Sequence, residues 1–265
     1  GNGGTNWRSQ ESSTSERLLA VTFTDATTGW AVGADGAIRH TTNGGSDWEK
    51  QEAGIPDTIT DITFHDGSTG WITAGSSLYQ TTDGGRNWTR QTTPASGQLQ
   101  SLAFIGADTG WAAGARGTIV KTEDGGNSWT QQTTPDETGQ LNALFFLDGD
   151  DGWAVGESGV ILKLDDGGQS WSSQTSGTSE DLQDVQFIND QIGFAVGSNG
   201  RILRTRNQGI TWDEASAPVE RDLNAIYRTS GTNGWVCGAD GAILSYTGDG
   251  DFIGRAQPKK TPDRL

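Results

Sequence analysis

Apolar and polar residues alternate along this chain in short runs that recur at a regular spacing. Each repeat holds four runs, rich in Val, Ile, Thr, Phe and Trp and separated by Gly, Asp, Asn and Ser. In the first repeat the runs cover residues 18–23, 29–33, 37–41 and 47–51. This pattern predicts four short strands per repeat. Apolar residues never follow helical spacing over a window long enough for a helix of appreciable length, so we expect none.

A glycine followed by an aromatic residue marks the second run of every repeat, and the pair recurs every 40 to 42 residues. The six pairs are Gly29-Trp30, Gly70-Trp71, Gly110-Trp111, Gly152-Trp153, Gly193-Phe194 and Gly234-Trp235. A period of this length is typical of a four-stranded propeller blade. The sequence therefore predicts an all-β, six-bladed β-propeller.

The turn between the third and fourth runs carries a second recurring motif. Residues 81–88 read Thr-Thr-Asp-Gly-Gly-Arg-Asn-Trp, and the pattern resembles the Asp-box, or BNR, repeat. We expect an Asp or Asn in each box to accept backbone N–H bonds within its own turn, and the tryptophan to pack on the blade. The structural residues predicted in this way are Asn43, Asp83, Asp124, Asp166, Asn207, Trp7, Trp48, Trp88, Trp129, Trp171 and Trp212.

A calcium or sugar site is the alternative interpretation of the box carboxylates. One carboxylate per blade cannot converge on a single ion, whose ligands all lie within about 2.6 Å of it. We therefore interpret the boxes as structural and expect no metal ligands among them.

The number of boxes exceeds the number of complete repeats by one, because residues 2–7 form an extra box ending at Trp7. We expect residues 5–10 to supply the fourth strand of the last blade and so to close the propeller. The alternative is a seventh blade. The predicted single domain covers residues 1–254, with repeats near 18–51, 58–91, 99–132, 141–174, 182–215 and 223–252, and a tail at 255–265.

Composition limits the classes of partner. The chain has 34 acidic and 18 basic side chains, a net charge of −16 at pH 7. Nucleic acids and anionic membranes both require a positive footprint, so we expect neither as a partner. No apolar run is long enough to cross a membrane. The chain begins Gly-Asn-Gly-Gly without Met, which we interpret as an upstream signal or anchor having been removed, and we expect an extracytoplasmic monomer.

Few residues are candidates for catalysis. His40 and His65 fall in different blades, and the single cysteine, Cys237, occupies a small apolar position where we expect a buried thiol. Sialidases share the box but need a tyrosine nucleophile and three arginines. Tyr79, Tyr227 and Tyr246 lie at ordinary strand or box positions. We therefore predict no catalytic residue and no cofactor; the alternative is a secreted carbohydrate-active propeller, either a glycoside hydrolase or a sugar-binding module.

The turns between the second and third strands offer the best candidate for a partner-binding face. They share one end of the blades with the loops that lead into the next repeat, and rigid rings of loops commonly bind partners. The predicted tip residues are Asp35, Arg116, Glu157, Asn199 and Asp240.

The whole repeat resembles one family in particular. Residues 141–171 follow Leu-Asn-Ala-x-x-Phe, then Gly-Trp-Ala-Val-Gly-x-x-Gly-x-Ile-Leu and the box Asp-Gly-Gly-x-Ser-Trp, and the six repeats keep this pattern from 18 to 247. It is similar to the photosystem II stability/assembly factor family of Asp-box propellers. The resemblance implies a non-enzymatic scaffold that binds another protein, a membrane-protein assembly intermediate, from the lumenal or extracytoplasmic side.

Overall fold

The chain folds into six antiparallel four-stranded sheets in a computed structural model. In each sheet the strands follow one another in chain order, as a meander. This is the arrangement of a six-bladed all-β propeller, and it confirms the fold class predicted from the sequence.

The structure describes residues 9–136, 138–165, 170–216, 218–228, 233–247 and 252–256. Contacts divide the chain into two compact units, residues 1–110 with 122–130 and residues 111–121 with 131–265. The first unit contains blades one and two, the second contains blades four to six, and the third blade contributes residues to both. Among the described residues no α-helix occurs, and none could therefore cross a membrane.

The strands of blades one to three are β1 Leu18–Phe23, β2 Gly29–Gly33, β3 Ile38–Thr41, β4 Glu49–Gln51, β5 Ile59–Phe64, β6 Gly70–Ala74, β7 Ser77–Thr81, β8 Thr89–Gln91, β9 Leu99–Ile105, β10 Thr109–Gly114, β11 Ile119–Thr122 and β12 Thr130–Gln131. Those of blades four to six are β13 Leu141–Phe146, β14 Gly152–Gly156, β15 Ile161–Asp165, β16 Ser170–Gln174, β17 Leu182–Phe187, β18 Gly193–Gly197, β19 Ile202–Thr205, β20 Asp213–Glu214, β21 Leu223–Arg228, β22 Asn233–Gly238, β23 Ala242–Thr247 and β24 Phe252–Ala256.

The last blade corrects one expectation. Its fourth strand is β24, which pairs with β23 from Tyr246↔Phe252 to Ala242↔Ala256 and so holds the position that was expected for residues 5–10. A hairpin partner a few residues away closes a much shorter loop than a strand from the other end of the chain, and so loses less entropy. Residues 1–8 lie outside the described part. The first two residues of the predicted tail, 255 and 256, belong to this strand.

The core lies between neighbouring blades. In the first unit, Trp30 and Val32 of blade one share a cluster with Ile62 and Ile72 of blade two. In the second unit, Trp153 and Val155 of blade four pack with Val185 and Phe187 of blade five. Most of the second strands are buried at every residue because they are covered on both faces.

A stack of aromatic rings joins successive blades. In blades one to four, the tryptophan of the second strand lies face to face with a phenylalanine at the end of the next blade's first strand. The ring centroids are 3.6 Å apart for Trp30 and Phe64, 3.8 Å for Trp71 and Phe104, 3.9 Å for Trp111 and Phe146, and 3.6 Å for Trp153 and Phe187. The repeated Gly-Trp pair therefore fixes how a blade packs on the one that follows it.

Candidate functional site

The box turns are held by their own side chains. Asp83 Oδ1 accepts the N–H of Asn87 at 2.9 Å, and Asp124 Oδ1 accepts the N–H of Ser128 at 2.8 Å. Asn43 and Asn207 accept the equivalent N–H at 3.0 Å. Asp166 and Trp7 lie outside the described residues.

These hydrogen bonds also act on the charge of the box carboxylates. The side-chain bond from Asn87 and then its backbone N–H lower the pKa of Asp83, and the corresponding bonds from Ser128 lower that of Asp124. Both carboxylates are exposed and remain ionised at neutral pH. Among the described residues no group of three His, Cys, Asp or Glu side chains is placed to hold a metal ion.

Sequence reasoning missed the contribution of the threonine that opens the boxes of blades one, two, three and five. Thr122 Oγ1 accepts the buried N–H of Gly126 at 2.9 Å and donates to Asp124 Oδ1 at 2.8 Å. Thr41, Thr81 and Thr205 make the same pair of bonds. All four threonines are at most 2% exposed. A hydroxyl at the same place in four boxes was a signal available in the sequence, and the box of blade four has Leu164 there instead.

Replacement of Thr122 by valine should lower the free energy of unfolding by about 1–3 kcal/mol. The change preserves shape but leaves the buried N–H of Gly126 without its acceptor. Urea denaturation measures the loss. The same substitution at exposed Thr89, in β8, is the control and should change stability little; equal losses at the two sites would contradict the role given to the hydroxyl.

The box tryptophans pack with their edges against the aromatic stack. Trp88, Trp129, Trp171 and Trp212 each form a T-shaped contact with the phenylalanine of their own blade at centroid distances of 5.8 to 6.1 Å. Trp48 does the same with Phe23 at 6.0 Å. These residues therefore form part of the core rather than a binding surface.

Cationic and polar side chains of the third strands also pack on this stack. The imidazole of His40 lies over Trp30 with centroids 4.8 Å apart, and the ammonium groups of Lys121 and Lys163 lie 5.5 and 5.7 Å from the rings of Trp111 and Trp153. Burial lowers the pKa of His40. The two lysines therefore pack through cation–π attraction, and the imidazole of His40 packs by ring stacking.

The predicted partner-binding residues lie on exposed turns between second and third strands. Asp35, Arg116, Asn199 and Asp240 occupy the left-handed region, with φ between 51° and 58°. In the fourth blade Ser158, with φ 55°, takes this position, and Glu157 precedes it. The tip expected at Glu157 is therefore shifted by one residue, because the repeat places the left-handed residue directly before glycine.

In the second unit these turns are tied to the segment that leads into the next blade. The N–H of Ser158 donates to Asp181 Oδ1 at 2.8 Å, and that of Asn199 donates to Asp222 Oδ1 at 3.0 Å. Asn199 Nδ2 also donates to Glu180 Oε2 at 2.8 Å. We call this set of residues the turn-tip surface: Arg116, Glu157, Ser158, Glu180, Asp181, Asn199, Asp222 and Asp240.

The turn-tip surface is rigid and carries more acidic than basic groups. The tips at Ser158 and Asn199 are fixed both by their own backbone turns and by a carboxylate that leads into the following blade, so their side chains are presented in a defined arrangement. The surface contains five carboxylates and one guanidinium, that of Arg116. Next to it, Arg221 Nε lies 4.0 Å from Asp240 Oδ2. Such a surface can bind a partner through charge and backbone contacts.

The three tyrosines considered for glycosidase chemistry lie in different environments. Tyr227 is 66% exposed, and Tyr246 is buried against Phe194 with centroids 5.2 Å apart. Tyr79 packs with the cluster between blades one and two. Cys237 is exposed, which contradicts the buried thiol expected from the sequence.

The sequence model of one family, described as the photosynthesis system II assembly factor YCF48, matches residues 3–96, 91–179 and 173–257. The chain belongs to the YCF48 family. The resemblance drawn from the repeat pattern is thereby confirmed. No individual curated protein matches the chain in sequence.

Solved structures of the YCF48 family and of other propellers share the fold. YCF48 bound to D1 peptide superposes with a TM-score of 0.76 at 23% identity, over 94% of this chain and 84% of that chain. YCF48 from Cyanidioschyzon merolae gives 0.51 at 19% identity, over 88% and 96%. An ancestral GH74 enzyme gives 0.74 at 15% identity, over 94% of this chain and 39% of the enzyme. At these identities the likeness shows the fold alone.

Proposed function

We propose that this chain is a non-catalytic, protein-binding assembly factor that acts outside the cytoplasm and binds an extended segment of a membrane-protein subunit. The observation that carries the proposal is the match of the YCF48 family along nearly the whole chain. A solved structure of that family holds a D1 peptide, which supports a peptide as the kind of ligand.

The turn-tip surface is the site we assign to this peptide. Its residues are exposed on turns whose backbones are fixed by Asp181 and Asp222, so little conformational entropy is lost when a ligand binds. Excess negative charge at Glu157, Glu180 and Asp240 favours a segment with Lys or Arg side chains, and it should accelerate association at low ionic strength.

Fluorescence anisotropy with a labelled D1 peptide tests the site directly. We expect binding that weakens as salt is added, and a loss of about tenfold or more in affinity when Glu157 and Asp240 are both changed to lysine. Asp190→Lys makes the same kind of charge change at an exposed turn at the other end of the strands, and it should leave the affinity unchanged.

Two results would overturn the proposal. One is the absence of peptide binding by the unmodified chain, and the other is an equal loss from the Asp190→Lys control. Similarity to GH74 enzymes concerns the fold, and the tyrosines described above do not converge on a common site, so we do not propose a glycosidase.

A further inference from the structure

The outer strand of blade four is longer than most of its counterparts and carries no charged side chain. β16, Ser170–Gln174, has five residues, whereas β4 and β8 have three and β12 and β20 have two. β4, β8 and β20 each contain charged residues, and β24, which also has five residues, contains Arg255. Short length and charged side chains protect an edge strand from pairing with another chain. β16 has neither of these protections.

The outer edge of β16 already forms one strand-like contact with another part of the chain. The N–H of Trp171 donates to the carbonyl of Thr133 at 3.1 Å, in a parallel bridge between Thr133 and Ser170. Backbone N–H and C=O groups point to the same side of a strand at every second residue, so those of Ser173 point outward like those of Trp171. The edge is therefore able to pair with an extended segment.

This pairing stops where Pro135 comes opposite Trp171. In a parallel ladder the residue two places after Thr133 would donate its N–H to the carbonyl of Trp171 and would accept the N–H of Ser173. Proline has no N–H to donate. Among the described residues, neither the carbonyl of Trp171 nor the N–H of Ser173 has a hydrogen-bond partner. Backbone groups for one further strand are thus available at this edge.

A cleft lies at the end of the same edge. It has a volume of about 480 Å³ and is lined by residues 158–161, which lead into β15, and by residues 173–179, which lead from β16 towards blade five. Val160 and Ile161 supply apolar surface. Apart from Gln174, residues 173–179 are Ser, Thr and Gly, and Ser173 and Thr175 are exposed. Side chains this small leave the backbone accessible to a ligand.

The cleft is continuous with the turn-tip surface. Ser158 belongs to both, and Ser179, which lines the cleft, is followed directly by Glu180 of that surface. All of these residues lie in the second compact unit. A segment that reaches the acidic tips can therefore continue through the cleft and along β16.

We propose that the extended segment bound by this chain adds a fifth strand to blade four along the outer edge of β16. The inference rests on the proposed function and specifies how the segment is held. Its backbone pairs with Trp171 and Ser173, one apolar side chain enters the cleft beside Val160 and Ile161, and its Lys or Arg side chains lie against the turn-tip surface. In this mode of recognition the backbone bonds supply affinity and the pockets for alternate side chains supply specificity.

The variant Ser173→Pro tests the strand pairing. Proline removes an N–H that points away from the sheet, a place where an edge strand accepts it, and leaves the bonds between β15 and β16 intact. We expect the affinity for the labelled D1 peptide, measured by fluorescence anisotropy, to fall by about tenfold or more. Gln131→Pro makes the same change at the equivalent place in β12 and should leave the affinity unchanged.

Backbone-methylated peptides test the pairing without any change to the protein. In an added strand every second N–H of the peptide points to β16 and the others point to solvent. Two D1 peptides, one N-methylated at its odd positions and the other at its even positions, should therefore differ in affinity by about tenfold or more. Equal affinities, or unchanged binding by Ser173→Pro, would overturn this inference alone. Absence of binding by the unmodified chain would overturn the proposed function as well.

Discussion

Replacement of Trp129 by alanine is expected to lower the free energy of unfolding by about 3–5 kcal/mol, the range typical of large-to-small changes in a core. Trp129 is 7% exposed, its ring edge packs on Phe104 at 6.0 Å, and its Nε1 donates to the carbonyl of Gly126 at 3.1 Å. The substitution removes the ring contact and the hydrogen bond together, at a site where the surrounding box turn cannot collapse into the space.

Two further variants make this expectation specific. Trp129→Phe keeps much of the ring and should cost clearly less than the alanine variant. Asp35→Asn, on an exposed turn where asparagine accepts the left-handed backbone, should be close to neutral. Urea denaturation followed by far-ultraviolet circular dichroism measures all three. Equal losses for Trp129→Ala and Asp35→Asn would show that the box tryptophan is not part of the core.

The stability of the chain should depend on pH through Asp61 in a direction opposite to that of most carboxylates. Asp61 is enclosed between the first strands of blades two and three, where it accepts the N–H of Leu102 and of Ile62 at 2.8 Å and the hydroxyl of Ser101 at 3.1 Å. Burial, only partly opposed by these bonds, raises its pKa from 3.8 to about 6.

The direction of this pH dependence follows from proton binding by Asp61 in the folded and the unfolded chain. Between about pH 4 and 6 the unfolded chain loses this proton while the folded chain retains it, so the contribution of Asp61 to stability falls as pH rises. The change across this window is about 2–3 kcal/mol. Asp61→Asn abolishes the titration, so the stability difference between this variant and the unmodified chain should shift in favour of the variant as pH rises.

Urea denaturation at several pH values between 4 and 7 measures this shift. Asp66 is a matched control in the same blade, because the N–H of Thr69, followed by that of Ser68, lowers its pKa to about 2. Its contribution is therefore present above the unfolded pKa and is lost as pH falls, the opposite direction. Parallel pH profiles for Asp61→Asn and the unmodified chain would refute the assignment.

The repeat pattern predicted the architecture because the blades share the same strands, turns and core positions. Gly29-Trp30 and its copies in blades two to five mark a strand that is buried on both faces, and the Asp-Gly and Asn-Gly turns require a left-handed residue before glycine. The positions of these strands and turns depend on local sequence and on contacts that recur in each blade. Both recur at the spacing of the repeat and can therefore be recognised in the sequence.

The repeat pattern could not predict the structure at positions where one blade differs from the others. Cys237 fills a position that is buried in every other blade, yet its own side chain is exposed, and the repeat pattern carries no signal of that difference. Arg39 occupies a third-strand position that is apolar in other blades, and it is satisfied by Ser12 and Ser13, far from it in sequence. The strand β24 was likewise obscured by a degenerate box. The left-handed tips of the turns were predicted to within one residue, and their role in binding a partner stays a prediction; the bonds that link two of these tips to Asp181 and Asp222 required coordinates.

The aromatic stack also has a consequence for how such a chain changes over time. Because the second-strand tryptophan of blades one to four is covered by a phenylalanine of the next blade, each of these blades completes its core only with its neighbour. Duplication of one repeat in the gene would insert a unit that already carries both halves of the joint. Lengthening the protein by whole repeats therefore requires no new kind of contact between blades. Loss of part of a repeat would instead disrupt the contacts of that blade with both of its neighbours.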